Sequence, residues 1–192
     1  MYSNQKTLSL QLLNHKKVGL LGGSFNPAHI GHLTISKYAL TELGLDYVIW
    51  LVTPQNPLKP PYEQGMEERA DYASKVANHP NIIISTIEQD IKSPCTYYTL
   101  TYLHKNFPET EFTWLMGVDC LATFHLWENF DEFIDLVNIA IFDRKGCSDY
   151  ITSTPAGRLL QKESLKNGKF RVVFCKNELT DISSTEIRQG TK

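Results

Sequence analysis

Six apolar runs of strand length alternate with stretches of helix length along this 192-residue chain, and that alternation constrains the fold more than any other feature. Lys17–Leu21 is closed by Gly22-Gly23, and Tyr47–Val52 (YVIWLV) is aromatic and β-branched. Asn81–Ser85, Glu111–Met116, Asn138–Phe142 and Phe170–Phe174 complete the set. Runs without alternating polar residues are expected of parallel strands buried on both faces. Between them, Ile30–Leu43 reads as a helix ended by Gly44, where glycine is favoured. Met66–Asn78, Tyr97–Lys105, Asn129–Leu136 and Thr154–Lys166 read as further helices, and a last short one begins near Ser183. Strands alternating with helices imply right-handed βαβ units. The expected fold is α/β, a doubly wound, Rossmann-like parallel sheet with helices on both faces.

Residues 17–192 are read as a single domain preceded by an N-terminal extension over residues 1–16. A net charge of −2 gives no global basic field, so broad binding to nucleic acid or to an anionic membrane is not expected. Any bound anion needs a local, built site. Cys95, Cys120, Cys147 and Cys175 form no CxxC pair and read as ordinary thiols of a reducing compartment. No stretch is long and apolar enough to span a bilayer, and the leucines near the start are interrupted by polar residues. A cytoplasmic protein is expected, with its oligomeric state left open.

In a doubly wound sheet, ligands bind beyond the carboxyl ends of the strands. The loop after the first strand, Gly22-Gly23-Ser24-Phe25-Asn26-Pro27-Ala28-His29-Ile30-Gly31-His32, has neither the GxxxxGK[ST] nor the GxGxxG pattern. Its physics nevertheless suits a polyphosphate. Gly22 and Gly23 let the backbone approach a ligand, and a helix N-terminus offers N–H donors and positive potential. His29 and His32, one turn apart, lie on one helix face, with Gly31 leaving room between them. A cap or a packed histidine is the plainer reading of either residue, and a zinc pair lacks a further suitably spaced ligand.

This segment resembles the T/HxGH signature of the nucleotidyltransferase superfamily related to class I aminoacyl-tRNA synthetases. More narrowly it is similar to the nicotinate-mononucleotide adenylyltransferases. Phosphopantetheine adenylyltransferases usually carry Thr at the first histidine and Asp in place of Asn26, and cytidylyltransferases usually carry a GTFD-type turn. The resemblance implies ATP and nicotinate mononucleotide as substrates, with Mg²⁺ brought by ATP. It implies that Gly22, Gly23, Ser24 and Phe25 line the ATP site with His29 and His32, and that Asn26 belongs to the mononucleotide side. Adenylyltransfer to nicotinamide mononucleotide or phosphopantetheine, or a non-catalytic nucleotide sensor, remain as alternatives.

Four further stretches carry the resemblance. In Asp181-Ile182-Ser183-Ser184-Thr185-Glu186-Ile187-Arg188, Ser183 and Glu186 read as a capping box. Matching the family's ISSTxIR, this stretch implies that Ser183, Ser184, Thr185 and Arg188 hold ATP phosphates opposite the histidines. Gly117 and Asp119, at the end of the fourth strand, suit a ribose, although an Asp there is also a common helix cap. Trp127 is expected to be core by residue type and implied to stack on the nicotinate ring by resemblance. Glu128 follows it where relatives commonly have Tyr, and is expected to point outward while its main chain meets the nicotinate carboxylate. Ser93–Leu100 resembles SYTxDTL and places Thr96 on that same carboxylate, with Cys95 in place of the usual Tyr and Tyr98 in place of the usual Asp. Asn56 and Lys59, in the Pro-rich loop Thr53–Pro61, are candidates for the mononucleotide phosphate, and Arg144 is a further phosphate candidate.

Overall fold

The computed structural model describes residues 13–54, 64–91, 93, 95–143, 149–164, 172–175, 184–188 and 190. In chain order the elements are β1 (Lys17–Gly23), α1 (Ile30–Thr41), β2 (Tyr47–Val52), α2 (Met66–Ala77), β3 (Ile82–Ser85), α3 (Ile87–Ile91), α4 (Thr96–Asn106) and β4 (Glu111–Gly117). A 3₁₀ turn (Val118–Cys120) then leads into α5 (Leu121–Phe124), α6 (Phe130–Ile134), β5 (Asn138–Phe142), α7 (Tyr150–Ser153), α8 (Pro155–Ser164), β6 (Val172–Cys175) and α9 (Ser184–Arg188). The six strands form one sheet in the order β3-β2-β1-β4-β5-β6, and every pair is parallel. This is the doubly wound sheet expected from the alternation.

Its two faces are covered by different helices because side chains alternate across each strand. Leu20, Ile49, Trp114 and Ile139 face a core shared with Leu100 and Leu103 of α4, Phe124, Phe133 and Leu160. Leu21, Val48, Trp50, Leu115 and Phe142 face the other core, with Leu33 and Ala39 of α1 and Ala73 and Ala77 of α2. Leu13, read from sequence as part of an extension, is fully buried in the first core. The Thr110 hydroxyl holds its carbonyl at 2.7 Å.

The expected elements recur with shifted ends, and the differences have local causes. Gly44 adopts φ +64° just beyond α1, as its helix-ending role requires. Gly22 and Gly23, expected as a turn, instead extend β1 in register with Leu51 and Val52 of β2. The helix expected over Asn129–Leu136 is shorter, because Asn129 is left-handed at φ +55° and stands outside it. The short helices α3, α5 and α7 were not expected from the sequence; five residues or fewer give no 3.6-residue period to read.

The chain order places the topological switch between β1 and β4, where successive connections leave in opposite directions. There β1 pairs with β4 only as far as Leu21↔Leu115, while β1 goes on to Gly23 beside β2 and β4 to Gly117 beside β5. The two middle strands therefore part over their last residues. The crevice that opens is bounded by the glycine ends of both.

Candidate active site

Both histidines sit in the first turn of α1. His29 is the N-cap, extended at φ −150° and ψ 172°, and its Nδ1 accepts a hydrogen bond from the Gly31 N–H at 3.2 Å. One turn on, His32 Nδ1 accepts from the His29 N–H at 3.1 Å. The imidazoles thus take the parts that Ser and Glu play in a capping box. An Nδ1 that accepts from the backbone carries no hydrogen, so in the neutral ring the proton is on Nε2. Each ring therefore directs an N–H donor away from the cap. The ring centroids are 3.9 Å apart, so the two donors share one patch.

An aromatic stack fixes this patch from below. Phe25, at φ +46°, stacks on Trp50 with centroids 5.0 Å apart and lies 4.8 Å from His32. Trp50 Nε1 donates to Ser36 Oγ at 2.7 Å, and Ser36 Oγ donates to the His32 carbonyl at 2.8 Å. Phe25 as a whole is 1 % exposed, so its ring supports the histidine patch from inside the core.

The first glycine has a steric role besides the expected close approach to a ligand. A Cβ on Gly22 would lie 2.4 Å from Trp114 Cη2, whereas one on Gly23 would meet only ordinary contacts with Phe25. Gly22 makes room for an indole that is itself wedged edge-on against Trp127 and Phe133. Gly22→Ala is expected to destabilise the protein by about 1–3 kcal/mol through overpacking. Trp114→Phe in the same chain should recover part of that loss in a double-mutant cycle read by urea unfolding. Additive losses would show that the indole is not the obstacle.

The far end of the chain docks on this turn. Ser184 Oγ donates to the Pro27 carbonyl at 2.9 Å, and Arg188 Nη1 donates to the Asn26 carbonyl. Two motifs 157 and 162 residues apart in sequence are thereby brought against each other, with the Arg188 guanidinium exposed beside the histidine turn. Ser183 and the Thr185 side chain lie outside the described residues, as do Asn56, Lys59 and Arg144.

Across the crevice, Gly117 closes β4, and a Cβ there would lie 2.4 Å from Asp119 Oδ1. The glycine lets its own aspartate fold back over the strand end, where an exposed carboxylate can accept from ribose hydroxyls. Thr96 opens α4, with Cys95 as its N-cap. Half-buried Trp127 is held edge-on by Phe124 and Phe133 as well as by Trp114. Glu128 is exposed, its carboxylate accepting from the Tyr98 hydroxyl at 3.3 Å and its carbonyl contacted by Cys95 Sγ at 3.8 Å.

Two residues that sequence reasoning passed over also serve this region. Arg69 is 1 % exposed, and its guanidinium binds the carbonyls of Ser24, Thr53 (2.9 Å), Pro54 (3.1 Å) and Gln64 (3.3 Å). It ties the loop after β1 to the loop after β2 and places positive charge beneath the histidine segment. Its signal was a charged residue on the stripe shared with Ala73 and Ala77, the buried face of α2. Glu88 of α3 is 3 % exposed and accepts from Thr99 Oγ1 at 3.3 Å. Burial pushes its carboxyl up to about 7 against the pull of the Thr53 and Thr99 hydroxyls. Among the described residues, no group of three or more His, Cys, Asp or Glu is placed to hold a metal ion.

A parallel sheet whose switch-point crevice sets paired histidine donors against an arginine-bearing helix is the arrangement of a nucleotidyltransferase. Comparison with known proteins agrees. Residues 20–190 match the cytidylyltransferase-like family. A protein of Methylorubrum extorquens strain PA1 named "probable nicotinate-nucleotide adenylyltransferase" is 44 % identical over 149 residues, covering 76 % of this chain and 77 % of its own length. One of the same name from Cereibacter sphaeroides is 38 % identical over 180 residues, covering 89 % and 95 %. The Plasmodium falciparum nicotinic acid mononucleotide adenylyltransferase, solved in complex with NaAD, shares the fold at a TM-score of 0.70 and 16 % identity, over 91 % of this chain and 83 % of that one. The chain belongs to the cytidylyltransferase-like family, in its nicotinate-nucleotide adenylyltransferase branch.

Proposed function

We propose that the chain transfers the adenylyl group of ATP to nicotinate mononucleotide, releasing pyrophosphate and forming nicotinate adenine dinucleotide. An oxygen of the mononucleotide 5′-phosphate attacks the α-phosphorus of ATP, and the bond from that phosphorus to the bridging oxygen of the β-phosphate breaks. No protein nucleophile is required, because the attacking group is already an anion. The protein contributes alignment and neutralisation of developing charge. The Nε2–H donors of His29 and His32 are assigned to the ATP phosphates, with backbone from Gly23 to Phe25. Arg188 and the hydroxyls of Ser183, Ser184 and Thr185 take the pyrophosphate end from the opposite side. Asp119 takes the ribose, and Trp127, Thr96 and the main chain of Glu128 take the nicotinate ring. Asn26, Asn56 and Lys59 are assigned to the mononucleotide phosphate side.

One observation carries this reading: the Ser184 and Arg188 contacts that dock the last helix onto the Asn26-Pro27 turn of the histidine segment. Mg²⁺ arrives on the ATP phosphates, where an ion that keeps several waters needs no all-protein cage. A cytoplasmic setting fits the free thiols of Cys95 and Cys175, and no helix among the described residues is long and apolar enough to cross a membrane. Pyrophosphate release from ATP is the test, with nicotinate mononucleotide, nicotinamide mononucleotide and phosphopantetheine offered separately. Release with the first acceptor in preference to the others is the expected outcome. ATP binding without release in all three would identify a nucleotide sensor instead.

A further inference from the structure

Trp127 and Thr96, the two side chains assigned to the pyridine ring, come from different elements, and a short bridge joins those elements next to both. Cys95 caps α4 just before Thr96 and Tyr98 stands two residues after it in the first turn, while Glu128 follows Trp127 directly. Cys95 Sγ lies 3.8 Å from the Glu128 carbonyl, and the Tyr98 hydroxyl donates to Glu128 Oε1 at 3.3 Å. The two hydrogen-bonded side chains Tyr98 and Glu128 depart from the pattern the resemblance implies, Tyr98 standing where an aspartate is usual and Glu128 where a tyrosine is usual.

The bridge has a consequence for charge. Glu128 brings a carboxylate to a site assigned to a substrate that differs from its amide analogue by bearing a carboxylate. An anion free to swing beside the ring would repel the acid substrate and would accept from the N–H₂ of the amide. Tyr98 gives that carboxylate a donor on α4 and so holds it at one exposed place.

We propose that the Tyr98–Glu128 hydrogen bond determines specificity, favouring a pyridine carboxylate over a pyridine carboxamide by keeping the Glu128 carboxylate turned away. The proposal rests on the function assigned above. Tyr98→Phe, an exposed change that removes only the hydroxyl, should lower kcat/KM for nicotinate mononucleotide and raise it for nicotinamide mononucleotide. The ratio of the two is expected to move roughly tenfold toward the amide, a like-charge effect of ordinary size. Adding Glu128→Gln to the Tyr98→Phe chain removes the offending charge and should return the ratio toward its original value. A Tyr98→Phe ratio within about twofold of the unaltered chain would overturn the proposal, as would a shift that persists in the double variant. An unaltered chain that uses neither mononucleotide would overturn the function itself, so the two failures are distinguishable.

Discussion

Replacing His32 by alanine is expected to lower turnover by about a hundred- to a thousandfold, the usual loss when one preorganised donor to developing charge is removed. The geometry gives this variant two effects, and they can be separated. His32 Nδ1 accepts the N–H of His29, so alanine also strips a cap from α1, which costs about 1 kcal/mol of stability. Asparagine one turn inside the helix can still accept that N–H through its side-chain oxygen, but it has no ring nitrogen to place at the phosphates. His32→Asn should therefore recover most of the lost stability and little of the lost turnover. Measurement of kcat and of the urea midpoint on both variants makes the comparison. Turnover of His32→Ala within tenfold of the unaltered enzyme, in a folded protein, would remove His32 from the mechanism.

The sheet was legible because its strands are apolar throughout; Tyr47–Val52 and Asn138–Phe142 run between the same residues in the sequence reading and in the structure. The histidine segment and the Ser184–Arg188 helix were legible as patterns, and the hydrogen bonds of Ser184 and Arg188 supply the physical link between them. What escaped the sequence depends on partners brought from a distance. Arg69 reaches the Ser24 carbonyl across 45 residues, and its place on the stripe of Ala73 and Ala77 tells that it turns inward but not what it binds. Gly22 reads as a ligand-facing glycine, and its second reason to lack a side chain shows only when Trp114, from a strand beyond the switch point, is seen in the space a Cβ would fill. The histidines posed a choice between cap and ligand group that spacing cannot decide. A ring with two nitrogens can cap the helix through one and present a donor through the other.

Glu88 should make the stability of this protein fall as pH rises from about 4.5 to about 7. Its carboxyl sits at about 7 in the fold against an ordinary value of 4.5, so between those values the native state holds a proton that the unfolded chain has released. Unfolding then becomes easier with each step upward in pH, and the loss is complete above the folded value. Burial is the leading cause, and Glu88 Oε2 has no hydrogen-bond partner among the described residues to offset it. The full penalty is on the order of 3 kcal/mol. Glu88→Gln keeps an acceptor for Thr99 and cannot ionise, so its stability relative to the unaltered chain should improve by about 2–3 kcal/mol between pH 5 and pH 8. For a chain of this size that corresponds to a relative gain of very roughly 4–12 °C in Tm. Taking the difference between the two proteins cancels every other titrating group and any constant cost of the amide. A difference that stays flat across that range would mean that Glu88 does not titrate there. The same comparison bears on function, because Glu88 contacts Thr99, one turn after Thr96. Below about pH 7 the protonated carboxyl adds no negative charge near a site assigned to two anionic substrates, and above it the charge appears.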